Sequence, residues 1–78
     1  MPYTADIIAE LNILARYNLH TTQEGIKVHS DAEPEVIKAT LRLFNKGLIS
    51  QPDGGYLTSL GITAAEHGHN LLQILTTD

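Results

Sequence analysis

The sequence predicts a mainly α-helical domain that carries one two-stranded β-hairpin. Three observations point there. Apolar residues recur at helical spacing in three stretches. Pro52-Asp53-Gly54-Gly55 separates two short runs compatible with strands. The length of 78 residues and a 42% hydrophobic, 18% charged composition fit one ordinary globular domain. By surface scaling, a folded monomer of 8.5 kDa exposes about 4,600 Å² against about 12,000 Å² unfolded, so about 60% is buried in one modest core.

Residues 4–17 predict the first helix. Thr4 supplies its N-cap, Asp6 sits in the first turn where the helix dipole favours an acid, and Arg16 sits near its end. Ile7, Leu11 and Leu14, widened by Ile8 and Ala15, form the inward stripe; Ile13 and Tyr17 fall off it. Asn18 accepts helix-ending geometry. A second, short helix is expected from Thr21-Thr22-Gln23-Glu24 to about Val28, with Ile26 as its inward anchor. Gly25 within it costs about 1 kcal/mol relative to Ala.

The polar run from His29 to Glu33 reads as a turn, after which Pro34 is a natural first helical position. The third helix spans residues 34–46 and stops at Gly47. Val36, Ile37, Thr40, Leu41, Leu43 and Phe44 form its inward side, opposite Glu35, Lys38, Ala39, Arg42, Asn45 and Lys46. Residues 48–51 and 56–58 form the two short strands of the hairpin. The last helix begins near Ser59, capped by Thr58, and runs to about Leu75, with Leu60, Ala64, Leu71, Ile74 and Leu75 on one face; Thr63-Ala64-Ala65-Glu66 offers a second capping box four residues later. A short helix, a turn and an amphipathic helix make a helix-turn-helix, and the hairpin that follows is its wing. The whole chain, residues 1–78, is thus one winged helix-turn-helix domain.

Particular residues resemble a known family. Thr22-Gln23-Glu24-Gly25-Ile26, then Val36-Ile37, then Leu41, Leu43, Phe44 and Asn45-Lys46-Gly47-Leu48-Ile49 resemble the winged helix-turn-helix of bacterial regulators. Gly55-Tyr56-Leu57-Thr58-Ser59-Leu60-Gly61 is similar to that family's exit from the wing. The runs at 21–29 and 51–58 resemble, more narrowly, a group of small uncharacterised gammaproteobacterial proteins labelled DNA-binding. The resemblance implies a DNA-binding protein, a transcriptional regulator, with the helix at 34–46 in the major groove of double-stranded DNA. Two features depart from the pattern: Glu33 and Glu35 flank the start of that helix, and the wing tip has no basic residue.

Charge narrows how DNA can be bound. Five Lys and Arg against nine Asp and Glu give a net charge of −4, which excludes attraction by the molecule as a whole. Lys38, Arg42 and Lys46, at i, i+4 and i+8, are expected on one outward stripe, in a stretch from Val36 to Gln51 without an acid. Arg forks to a guanine edge, Lys neutralises phosphate, and Asn45 is a candidate adenine contact. The same stripe also reads as a solvated surface with Glu35 pairing Lys38. Lys27 and Thr22, with Thr21, are candidate phosphate contacts or simple caps. Ser50, Gln51 and Tyr56 on the wing face either the minor groove or their own hairpin.

Other chemistries lack support. The absence of cysteine excludes disulfides, thiolate metal sites and cysteine nucleophiles. His67 and His69 are two apart and face different ways on a helix, whereas a metal pair needs three or four; His67 is expected on the apolar face. Neither a catalytic constellation nor a cofactor motif is present, so no enzyme is expected. The longest unbroken apolar runs are three residues, which predicts neither a membrane span nor a signal-peptide core, and a cytoplasmic protein of bacterial type. Ile13, Tyr17 and Leu72 read as surplus apolar surface, expected to build a homodimer through the N- and C-terminal helices; Leu72 alternatively belongs to the domain's own core. The competing functional reading is a winged-helix protein–protein interaction module with an acidic surface and no DNA binding, favoured by Asp31, Glu33 and Glu35.

Overall fold

The computed structural model describes residues 2–21 and 23–77, built as α1 (Ala5–Leu14), β1 (Ile26–Lys27), α2 (Pro34–Asn45), β2 (Ile49–Gln51), β3 (Gly54–Leu57) and α3 (Ser59–Thr76). The chain is mainly helical, with three helices around a small antiparallel sheet of order β1-β3-β2. Its buried core joins Ile13, Leu14 and Tyr17 to Ala39, Leu43, Ile49 and Ala65, one cluster drawn from every helix and from β2.

Thr4 caps α1 as expected, its hydroxyl accepting from the Ile7 amide at 3.2 Å. The helix ends three residues early. The amides of Arg16 and Tyr17 tighten onto the carbonyls of Ile13 and Leu14, and this turn swings Tyr17 into the core. There its hydroxyl donates to the Gly55 carbonyl at 3.2 Å, and burial pushes its pKa up to about 12.

The short helix expected over 21–28 is not formed among the described residues of that stretch. Ile26 and Val28 point inward and Lys27 outward, which is a strand's period of two. Ile26 pairs with Gly55 and Lys27 with Gly54, and the Val28 amide donates to the Asp53 carbonyl at 2.7 Å. Gly25 makes the pairing possible: a Cβ there would lie 2.7 Å from the Gly55 oxygen. The Thr21 hydroxyl caps a local turn by accepting from the Gln23 amide. The hairpin therefore becomes a three-stranded sheet, and a strand stands where the first helix of the helix-turn-helix was expected.

The register of both outer helices also differs from their hydrophobic wheels. On α2 the buried residues are Ala39, Thr40 and Leu43, whereas Ile37 and Leu41 are exposed. The Thr40 hydroxyl donates to the Val36 carbonyl at 2.7 Å, which satisfies it in the interior. On α1 the core takes Ile13 and Leu14, while Ile7, Ile8 and Leu11 face out. The end of α2 follows the local chemistry closely. Gly47 at φ 81° lets its own amide reach the Phe44 carbonyl and the Leu48 amide reach that of Leu43, a Schellman closure. Thr58 then caps α3 by accepting from the Gly61 amide and ties the two helix ends together by donating to the Gly47 carbonyl at 2.6 Å.

Candidate functional site

Along one flank, α1 packs against α2, and this contact decides the fate of the basic stripe. Arg42 and Lys46 both turn toward α1 and pair with its carboxylates, although the Lys46 side chain stays 53% exposed. The Arg42 Nε donates to Glu10 Oε2 at 2.9 Å, and its Nη2 donates to the Asp6 carbonyl at 3.2 Å and sits 3.7 Å from the Asp6 carboxylate. Lys46 donates to the other Glu10 oxygen. The Glu10 side chain is 9% exposed and that of Arg42 30%. Burial alone pushes the Glu10 carboxyl up; hydrogen bonds from Lys46 and Arg42, and their charges, outweigh it and hold the pKa below the ordinary carboxylate value. The placement of Arg42 opposite the apolar centre of α2 is corrected accordingly: the helix is rolled so that Ala39 is inward and Arg42 lies on the α1 flank.

The other predicted contacts scatter. Lys38 and Asn45 are exposed on the outward side of α2, beside Leu41. Lys38 has no carboxylate within ion-pairing distance among the described residues. Lys27 lies on β1, 3.6 Å from Asp53 of the wing turn, in an exposed pair of little energetic weight. Thr22 lies outside the described residues. On the wing the Ser50 hydroxyl accepts from the Tyr56 amide at 2.9 Å, so it serves the hairpin itself, while Tyr56 is half exposed. His67 is exposed and not on a buried apolar face; His69 is partly buried, its Nε2 3.4 Å from the Leu14 carbonyl. Among the described residues no three metal-ligating side chains converge.

A second feature is larger than the stripe. The C-terminal half of α3 runs beside α1, and between them lies a cleft of about 360 Å³ walled by Ile8, Leu11, Gly68, Leu71, Leu72 and Leu75. Leu71, Leu72, Ile74 and Leu75 are 48–72% exposed. The wheel reading placed Leu71, Ile74 and Leu75 inward; they emerge because α3, at 18 residues, is about 27 Å long and meets the core with its first half, where Gly61 and Ala65 are buried and Ala64 packs against the cluster. Ile13 and Tyr17, expected as surplus surface, are instead in the core, and the surplus on α1 is Ile7, Ile8 and Leu11. The sequence signal for the cleft is that no Asp, Glu, Lys or Arg occurs in residues 67–77. A more polar hollow, of about 490 Å³, separates the start of α2 from the wing turn and is lined by Lys27, His29, Ser30 and Asp53.

A family model described as a family of unknown function, DUF5669, matches residues 1–76. The chain belongs to DUF5669. No curated protein and no solved structure matches it. For this DUF5669 chain the described helices include none long and apolar enough to cross a membrane.

Proposed function

We propose that this DUF5669 chain is a protein–protein interaction module on a frame akin to a winged helix, with the α1–α3 face as its docking surface. The observation that carries this reading is the row of Leu71, Leu72, Ile74 and Leu75 standing in solvent beside Ile8 and Leu11. The largest contiguous apolar patch on a monomer is often functional, and larger ones mark interaction sites. The order α1, β1, α2, β2, β3, α3 supports the likeness to a winged helix, in which β1 would stand in place of the helix preceding α2. A photo-crosslinking phenylalanine analogue placed at Leu72 and, separately, at Tyr56 of the wing tests the reading in cells. Protein adducts from position 72 and not from 56 are expected. Absence of protein adducts at 72 removes the reading.

A second reading, binding to double-stranded DNA through α2, is favoured by one observation: Lys38 and Asn45 share its outward side. The geometry sets a limit on it. With Arg42 and Lys46 paired to Glu10, Lys38 is the one cation of α2 without an ion pair among the described residues, so the contribution of α2 to the log–log salt slope of a dimer is roughly −2 instead of the roughly −5 that a fully free stripe would give. Fluorescence anisotropy of a mixed-sequence duplex at 50 and 200 mM salt separates the cases, and no binding at high micromolar protein ends this reading for non-specific duplex.

A further inference from the structure

We infer that the α1–α3 cleft is a self-association site: two copies of the chain pair about a two-fold axis, the C-terminal half of each α3 seated on the cleft of the other. This rests on the docking reading above and names its partner.

Surface area is the first argument. A compact monomer of 8.5 kDa exposes about 4,650 Å², whereas this chain exposes 5577 Å². The excess, on the order of 900 Å², matches the ~800 Å² that each partner contributes to a standard interface. Ile8, Leu11, Leu71, Leu72 and Leu75 on the cleft, with Ile74 outside its lining, are 38–72% exposed and together present roughly 600 Å², the top of the range seen on monomers. Two such faces together make on the order of 1,200 Å², the lower end of stable interfaces.

Charge selects a second copy as the occupant. Residues 67–77 contain no charged side chain, and near a two-fold axis each charge would meet its own image. A charge-free overhang on a chain of net charge −4 suits a partner with the same surface.

Gly68 adds a separate observation. A glycine inside a helix costs about 1 kcal/mol, yet a Cβ at position 68 would meet only Leu11 Cδ2, at the ordinary distance of 3.7 Å. Nothing inside the described chain requires the missing side chain. It leaves a notch in the wall of the cleft, where a leucine of the second copy can enter.

Sedimentation equilibrium on the full chain from 1 to 200 µM tests this, with a mass rising toward twice 8.5 kDa expected. Leu72→Glu and Leu75→Glu alter side chains 53% and 72% exposed in the single chain, and each raises the dissociation constant roughly 100-fold or more. Raising the salt leaves the wild-type association unchanged or tightens it, because screening weakens the repulsion between two acidic chains. Should a charged variant not fold by circular dichroism, Leu72→Cys and Leu75→Cys serve instead in this cysteine-free chain. At least one forms a disulfide-linked dimer under mild oxidant and Ser50→Cys on the wing does not. A single-chain mass throughout 1–200 µM overturns the proposal, as does a dimer untouched by both charged variants. A monomer whose position 72 still crosslinks to other proteins in cells overturns self-association alone and leaves the docking reading standing.

Discussion

The two long flanks of α1 face opposite situations. Toward α2, Glu10 meets Arg42 and Lys46, and each charge in that contact has a partner. Toward the second half of α3, Ile8 and Leu11 meet Leu71, Leu72 and Leu75 across an open cleft. The polar contact is closed within the chain and the apolar one is not, which inverts the usual arrangement of greasy interior and charged exterior. A buried carboxylate tolerates no vacancy, because an unpaired ion in low dielectric costs several kcal/mol. An exposed leucine costs far less per residue, so an apolar face is the one a small fold can leave for association.

Breaking that contrast starts in the core. Leu43→Ala, at a fully buried position, is expected to cost about 2–5 kcal/mol in urea unfolding. Leu71→Ala on the cleft is expected to change the stability of the dilute monomer by under about 0.5 kcal/mol. Equal effects would erase the distinction between the two regions.

On the polar flank, Glu10→Ala leaves Lys46 without its carboxylate and Arg42 with Asp6 alone. The expected loss is about 1–2 kcal/mol, below the 3–5 of a sealed pair because Arg42 and Lys46 remain partly in water. Arg42→Ala falls in the same direction. It is not the neutral surface change that a solvent-side residue would give.

The pH dependence sharpens the same point. The folded-state pKa of Glu10 lies below its ordinary value, so its contribution is present above the ordinary carboxylate range and is lost as pH falls through the folded value. Glu10→Gln should flatten that acid limb of stability. Tyr17 works at the other end, with a folded pKa of about 12 against an ordinary 10.0. Its contribution is present below pH 10 and is lost as pH rises from there toward 12; Tyr17→Phe should flatten the alkaline limb and cost about 1 kcal/mol through the bond to Gly55. The smallest effect is expected at Lys38→Ala, within about 0.5 kcal/mol by thermal melt. Its consequence for duplex binding, if any, is then free of a folding effect.

Much of the architecture was legible because it rests on neighbours in the chain. Thr4 and Thr58 as caps, Pro34 as a first turn, Gly47 as a stop and the turn at 52–55 all act over three or four residues. The strand at Ile26 was missed although Ile26-Lys27-Val28 alternates. Three residues are too few to separate a strand from a helical turn until a partner edge is known, and that edge, Gly54 and Gly55, lies almost thirty residues away. The spacing of Lys38, Arg42 and Lys46 sets them in a line on α2, but whether that line faces solvent or α1 depends on where α1 lies.

Local residue chemistry was sufficient to specify where most helices start and stop, that a hairpin follows α2, and that the chain carries more apolar surface than its helices can hide in a single stripe. Which side of each helix is inside was decided only by packing. Ala39 and Gly61 allow close approach where Ile37 and Leu60 would not, so at these two positions the small residue takes the interior and its larger neighbour is turned out. A hydrophobic wheel weighs how apolar a side chain is, whereas a small core selects for volume as well, and volume is a property of what lies opposite.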